Sequence, residues 1–87
     1  MQFKLVLLIG QAFIDERQTF LKIFKNCHCV FAKNGLRGLA MAVVMHPDVV
    51  VCKRDSSLIS TDLIRYEVLH INSHCKFLIM DDEKVAE

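Results

Sequence analysis

His46-Pro47-Asp48-Val49-Val50-Val51-Cys52 is the stretch that decides how this chain folds. The consecutive β-branched valines make Asp48–Cys52 the least ambiguous strand in the sequence. The residue before a proline is pushed away from the α region, so a helix upstream must end before His46-Pro47. Leu36, Leu39, Ala40, Val43 and Val44 stand at i, i+3, i+4, i+7 and i+8, the spacing of an amphipathic helix. Lys33-Asn34-Gly35 ahead of them is a turn signal.

The same alternation extends outward in both directions. Toward the N-terminus, His28–Ala32 reads as a short strand, and Phe3–Ile9 as an apolar strand buried on both faces and ended by Gly10. Between them Phe13, Phe20, Leu21 and Phe24 keep a helical spacing with a gap at Arg17, which predicts one helix over Phe13–Lys25, stopped by Asn26. Toward the C-terminus, Lys53-Arg54-Asp55-Ser56-Ser57 reads as a polar loop. Ser60, Thr61 or Asp62 can cap a third helix carrying Ile64, Val68 and Ile71, with Leu63 and Leu69 beside them. Asn72-Ser73-His74 ends that helix, Lys76–Met80 is a fourth strand, and the charged segment from Asp81 to Lys84 is expected to be exposed. The order β-α-β-α-β-α-β predicts an α/β fold in one domain over residues 1–87, with a parallel sheet, right-handed crossovers and helices on both faces.

Composition narrows the function classes. Apolar residues make up 53% of the 87, so the chain can bury a core and is not disordered. Eleven basic side chains balance ten acidic ones, for a net charge of +1, so direct nucleic-acid binding is not expected. The apolar run Leu5–Ile9 is far short of the roughly 20 residues that span a bilayer, and no small-residue cleavage site follows it. A cytoplasmic protein with no membrane contact is the expectation. Cys27, Cys29, Cys52 and Cys75 permit two disulfides in three connectivities. Cys29 and Cys52 lie in apolar strand-like runs, where a free thiol acts as a small hydrophobe, and reduced thiols are the reading adopted.

Three segments resemble the receiver domain of two-component response regulators. They are Leu7-Leu8-Ile9 with the Gly10-Gln11 turn, Lys33-Asn34-Gly35-Leu36-Arg37-Gly38-Leu39-Ala40, and His46-Pro47-Asp48-Val49-Val50-Val51-Cys52. The resemblance covers nearly the whole chain, in pattern and not in catalytic residues. It implies a flavodoxin-like three-layer sandwich with strand order 2-1-3-4 and a functional crevice beyond the carboxyl ends of strands one and three. It also implies where the chemistry has changed. The acidic pair that holds Mg²⁺ in the family is matched by Gly10 and Gln11, and a glycine offers no side-chain oxygen. The phosphoacceptor aspartate is matched by Lys53, whose ammonium cannot form an acyl phosphate. The hydroxyl residue after strand four is matched by Asp81. The family continues with a further helix, a strand bearing a lysine and a last helix, so relative to a full receiver this four-stranded domain is expected to be truncated.

Other constellations carry less. Lys53 and Asp81 fall at neighbouring strand ends, where an ion pair could lock one switch state or be an incidental surface contact. Cys27-His28-Cys29 and His74-Cys75 offer metal-ligand types, but strands two and four are distant in the order 2-1-3-4, which argues against a tetrahedral site. Asp15 and Glu16 suit the start of a helix better than catalysis. Asp55 fits a solvated loop acid better than a cation ligand. No phosphate-cradling glycine pattern or nucleophile–base pairing is present.

The function expected is therefore a non-catalytic signalling or regulatory interaction module, with no cofactor and no metal. The partner is expected to be a second copy, as a homodimer, or another protein. The contact is expected along the strand-four edge at Phe77, Leu78, Ile79 and Met80, an apolar edge that a full receiver would cover with a fifth strand. Two alternatives stand beside it: a catalytic or unconventionally phosphorylated α/β domain using Asp55 or Asp81, and the N-terminal fragment of a longer transcriptional response regulator.

Overall fold

A computed structural model describes residues 4–54 and 60–81. Strands β1 (Leu5–Ile9), β2 (His28–Ala32), β3 (Val49–Lys53) and β4 (Lys76–Met80) form one all-parallel sheet in the order β2-β1-β3-β4. Strands β1 and β3 take the centre because they can. Val6, Leu7, Leu8, Ile9, Val50, Val51 and Cys52 present apolar groups to both faces, and each is at most 4% exposed.

The helices are α1 (Gln11–Asp15), α2 (Arg17–Ile23), α3 (Gly35–Met45) and α4 (Thr61–Ile71). Helices α3 and α4 cover one face, where Ala42, Ile64 and Val68 pack on Leu7, Ile9, Val50 and Cys52. Helices α1 and α2 cover the other, where Phe13, Phe20 and Phe24 pack on Val6, Leu8 and Val51. The result is a flavodoxin-like three-layer α/β sandwich. Gly38 lets α3 approach the sheet, since a Cβ there would stand 2.5 Å from the Cδ1 of Ile9. Asn34 caps α3 by accepting from the Arg37 N–H at 2.9 Å, and Ser60 caps α4 by accepting from the Leu63 N–H at 3.2 Å. No helix among the described residues is long and apolar enough to cross a membrane.

Three local readings change. The single helix expected over Phe13–Lys25 is two helices broken at Glu16, whose φ and ψ of −112° and 36° leave the helical region. The break coincides with the gap in apolar spacing at Arg17. It lets Phe13 and Phe20 meet edge to face, with ring centroids 4.8 Å apart, above the sheet. Leu21, placed in the helix's apolar set, is 39% exposed. Lys53 closes β3 opposite Met80 and does not open a loop. Strand β4, whose apolar run suggests cover on both faces, leaves Leu78 44% exposed, while Met80 on that same face is half-buried against the cluster beneath α1 and α2.

Candidate functional site

The crevice of a doubly wound sheet forms beyond the carboxyl ends of its central strands, and here those ends are Ile9-Gly10 and Cys52-Lys53. Gly10 leaves β1 with φ of +142°, a conformation L side chains rarely adopt, and its N–H donates to the Ala32 carbonyl at 2.8 Å. A Cβ at this position would meet the Lys53 Cβ at 2.8 Å. The lysine stem thus occupies the space that an acidic side chain after β1 would need. Its ammonium nitrogen lies 5.8 Å from the centre of the Phe13 ring, within reach of a cation–π attraction.

Gln11 opens α1 and points its amide to Asp15, with Nε2 donating to Oδ1 at 3.1 Å. Asp81 follows β4 and forms an ion pair with Arg54, whose Nε donates to the Asp81 carboxylate. The Arg54 N–H also donates to the Met80 carbonyl at 2.9 Å, so backbone and side chain join the ends of β3 and β4. Lys53 and Asp81 stand at neighbouring strand ends as expected, and the Asp81 carboxylate pairs with Arg54, one residue beyond Lys53. The structure therefore does gather Gly10, Lys53 and Asp81 at one end of the sheet, with Gln11 beside them. The set holds an amide, an ammonium and an arginine-paired carboxylate in place of converging free carboxylates. A hard divalent cation wants several oxygen ligands, and of these four residues only Asp81 carries a carboxylate, which is paired with Arg54. Two surface hollows of about 320 Å³, one along Ile14–Thr19 and one lined by Ile14, Phe31, Lys33, Arg37 and Met41, include none of these four residues.

The remaining candidates stay apart. Cys27 and Cys29 are half-buried at the β2 edge, while Cys75 is buried beside β4 at the opposite edge. All four cysteines are free thiols. Among the described residues, no group of three or more His, Cys, Asp or Glu is placed to hold a metal. Burial pushes the Cys52 and Cys75 thiols above the ordinary range; a hydrogen bond with Thr61 partly offsets this at Cys52, and one with the Val50 backbone at Cys75. Burial, and secondarily the neighbouring Cys27, raises Cys29. Such thiols are poor nucleophiles. Asp15 serves Gln11, Glu16 marks the helix break, and Asp55 lies outside the described residues.

The opposite end of the sheet holds what sequence reasoning missed. His46 takes a left-handed conformation, φ 49°, and ends α3 by donating to the Ala42 carbonyl at 3.0 Å. Asp48 then accepts the Leu5 N–H on its carboxylate at 2.8 Å, donates its own N–H to the Leu5 carbonyl at 2.9 Å, and accepts the Lys76 N–H at 3.0 Å. The Asn72 side-chain amide donates to the Pro47 carbonyl at 3.1 Å. His46-Pro47-Asp48 is thus a clasp joining the starts of β1, β3 and β4 to the end of α4. The signal for it was present in the acid directly after the proline, whose carboxylate can cap an incoming strand.

At the margin, Phe77 and Ile79 face α3 and α4 and are half-buried, while Leu78 and Met80 face the other side. No family model matches the chain, and no curated protein matches it either.

Proposed function

We propose that this chain is a non-catalytic signalling or regulatory module that acts by protein contact, a receiver-like domain without phosphoacceptor or Mg²⁺-binding acids. One observation carries the reading. The Lys53 stem packs so closely over Gly10 that no side chain fits there, so the space that an acidic side chain after β1 would need is occupied. In this reading β4 is the contact strand. It lies at one end of the sheet among the described residues, with Leu78 44% exposed and Met80 half-buried beside it. A partner protein adds to it, and a second copy adding there is the alternative outcome. The free thiols suit a reducing, cytoplasmic setting.

The test is acetyl phosphate with Mg²⁺, followed by intact-mass and peptide analysis. No acid-labile phosphate adduct and no Mg²⁺-dependent rise in melting temperature are expected. A phosphorylated aspartate at any position refutes the non-catalytic reading.

A further inference from the structure

We propose that Cys27 and Cys29 form a dithiolate site for a single soft, two-coordinate cation of the Cu(I) class. Both side chains are half-buried, and both pack on the cluster of Val6, Leu8, Phe13 and Val51 beneath α1 and α2, so the two thiols lie on the same face of the sheet. Their spacing accounts for this. Cys29 is the second residue of β2, Cys27 stands directly before the strand, and side chains two apart in an extended chain share a face. Burial, and after it the charge of Cys27, pushes the Cys29 thiol up, so each sulfur lies within the other's electrostatic reach. A thiol that serves only as a small hydrophobe is enclosed, as Cys52 and Cys75 are in the core under α4. Cys27 and Cys29 instead remain partly open to solvent at the β2 edge of the sheet.

The surroundings choose the ion. A tetrahedral zinc site needs four ligands, and among the described residues no third His, Cys, Asp or Glu joins this pair. The other two cysteines pack on the opposite face of the sheet. The chain has no Asp or Glu between Glu16 and Asp48, so a hard cation finds no carboxylate oxygen in this stretch. Thiolate ligands select Cu(I), a monovalent d¹⁰ ion that two of them satisfy in line. Two opposed metal–sulfur bonds, each a little over 2 Å, span roughly 4.5 Å. Same-face positions two apart in a strand stand about 6.6 Å apart at Cα, and rotation of the two cysteine side chains sets the sulfurs at the required gap. A direct S–S bond wants the Cβ atoms about 3.8 Å apart, closer than parallel same-face side chains stand, so an ion bridges this pair better than a disulfide closes it.

Binding releases both thiol protons: two S–H bonds break, two Cu–S bonds form, and no electron changes hands. The complex of one monovalent cation with two thiolates carries one negative charge. Lys25, two residues before Cys27, and Lys4, whose carbonyl accepts the His28 N–H at 2.8 Å, are exposed cations beside it along the chain and across to β1. The ion also cancels the repulsion from Cys27 that helps keep the Cys29 proton in place. Because protons leave, affinity rises with pH.

Anaerobic competition for Cu(I) between the intact, thiol-reduced chain and the chromophoric chelator bicinchoninate tests this. One Cu(I) per chain is expected, held more tightly as pH rises. X-ray absorption of the complex gives two sulfur neighbours. Alkylation followed by peptide mass analysis finds Cys27 and Cys29 protected by the ion. Cys27→Ser and Cys29→Ser each keep the circular dichroism spectrum and lose affinity by about a hundredfold or more, the upper end of the cost of disturbing even a group hydrogen-bonded to a ligand. Failure to take Cu(I) from the chelator overturns the proposal. So does a coordination sphere without two sulfurs, a Cys27→Ser variant that binds like the wild type, or an ion that leaves Cys27 and Cys29 open to alkylation.

Discussion

The two ends of the parallel sheet are built by opposite means. At the amino end, His46-Pro47-Asp48 ties three strands and a helix together with directed hydrogen bonds, two of them exchanged between Asp48 and Leu5. At the carboxyl end, van der Waals packing of Lys53 over Gly10 and an exposed ion pair replace what would be a reactive crevice. The difference teaches that one end of a sheet can be specified by directed hydrogen bonds within a short segment while its other end is closed by packing and one exposed ion pair. Pattern resemblance in this chain is evidence about architecture.

The comparison breaks most visibly at Gly10. Gly10→Asp would place an acid directly after β1, but it must adopt a positive φ and push its Cβ into Lys53. A loss of about 2–4 kcal/mol is expected from the sum of backbone strain and overpacking, read from the urea midpoint. An unchanged midpoint would mean that the crevice has room and that packing is not what closes it. At the amino end the corresponding change is Asp48→Ala. It removes the carboxylate that accepts the Leu5 N–H and leaves the two backbone bonds of Asp48 in place, so about 1–2 kcal/mol is expected. A cost no larger than that of a neutral surface substitution would show that the clasp is a backbone device alone.

Much of this was legible beforehand, for reasons that can be traced to residues. Val49-Val50-Val51 has no comfortable home except a buried strand, and the i, i+3, i+4 spacing of α3 together with Pro47 sets its period and its end. Periodicity stops short of two things. It shows which side chains share a face, but not whether a neighbour arrives to cover it. That is how Leu36, Val43 and Val44 read as core-helix positions and stand largely in solvent. It also cannot show a backbone break inside a helical pattern; the missing apolar residue near Arg17 was the trace of the turn at Glu16. At the carboxyl end the sequence named Gly10, Lys53 and Asp81 as neighbours, but the choice of Arg54 over Lys53 depends on the length of β3, which extends through Lys53.

The two buried thiols sample both ends and sharpen the contrast by pH. Cys52 sits near the carboxyl end of β3 and Cys75 just before β4, both in the core under α4. Burial raises each folded thiol above its ordinary value of 9.0. Unfolded thiols therefore ionise first. The stability gained by keeping them neutral is fully present below pH 9.0 and is lost as pH rises through the folded values. Urea midpoints should fall on the alkaline side, and Cys52→Ala with Cys75→Ala should flatten that fall whatever it does to the baseline. An alkaline limb identical in the double variant would assign the loss to other groups.

The smallest effect is expected where the carboxyl end looks most like a designed contact. Arg54 and Asp81 form a close ion pair, but their side chains are 46% and 40% exposed. Water screens such a pair, and holding two side chains in one geometry costs entropy, so exposed pairs contribute about 0–1 kcal/mol. The join between β3 and β4 does not depend on it, because the Arg54 N–H reaches the Met80 carbonyl and the ladder already pairs Lys53 with Met80. Asp81→Asn keeps the shape of the side chain and removes its charge. Its midpoint should move by less than about 0.5 kcal/mol, and the difference from wild type should shrink further as salt is added. A loss comparable to that of Asp48→Ala, insensitive to salt, would place a second directed clasp at the carboxyl end. The two ends would then differ in their chemistry but not in how they are held.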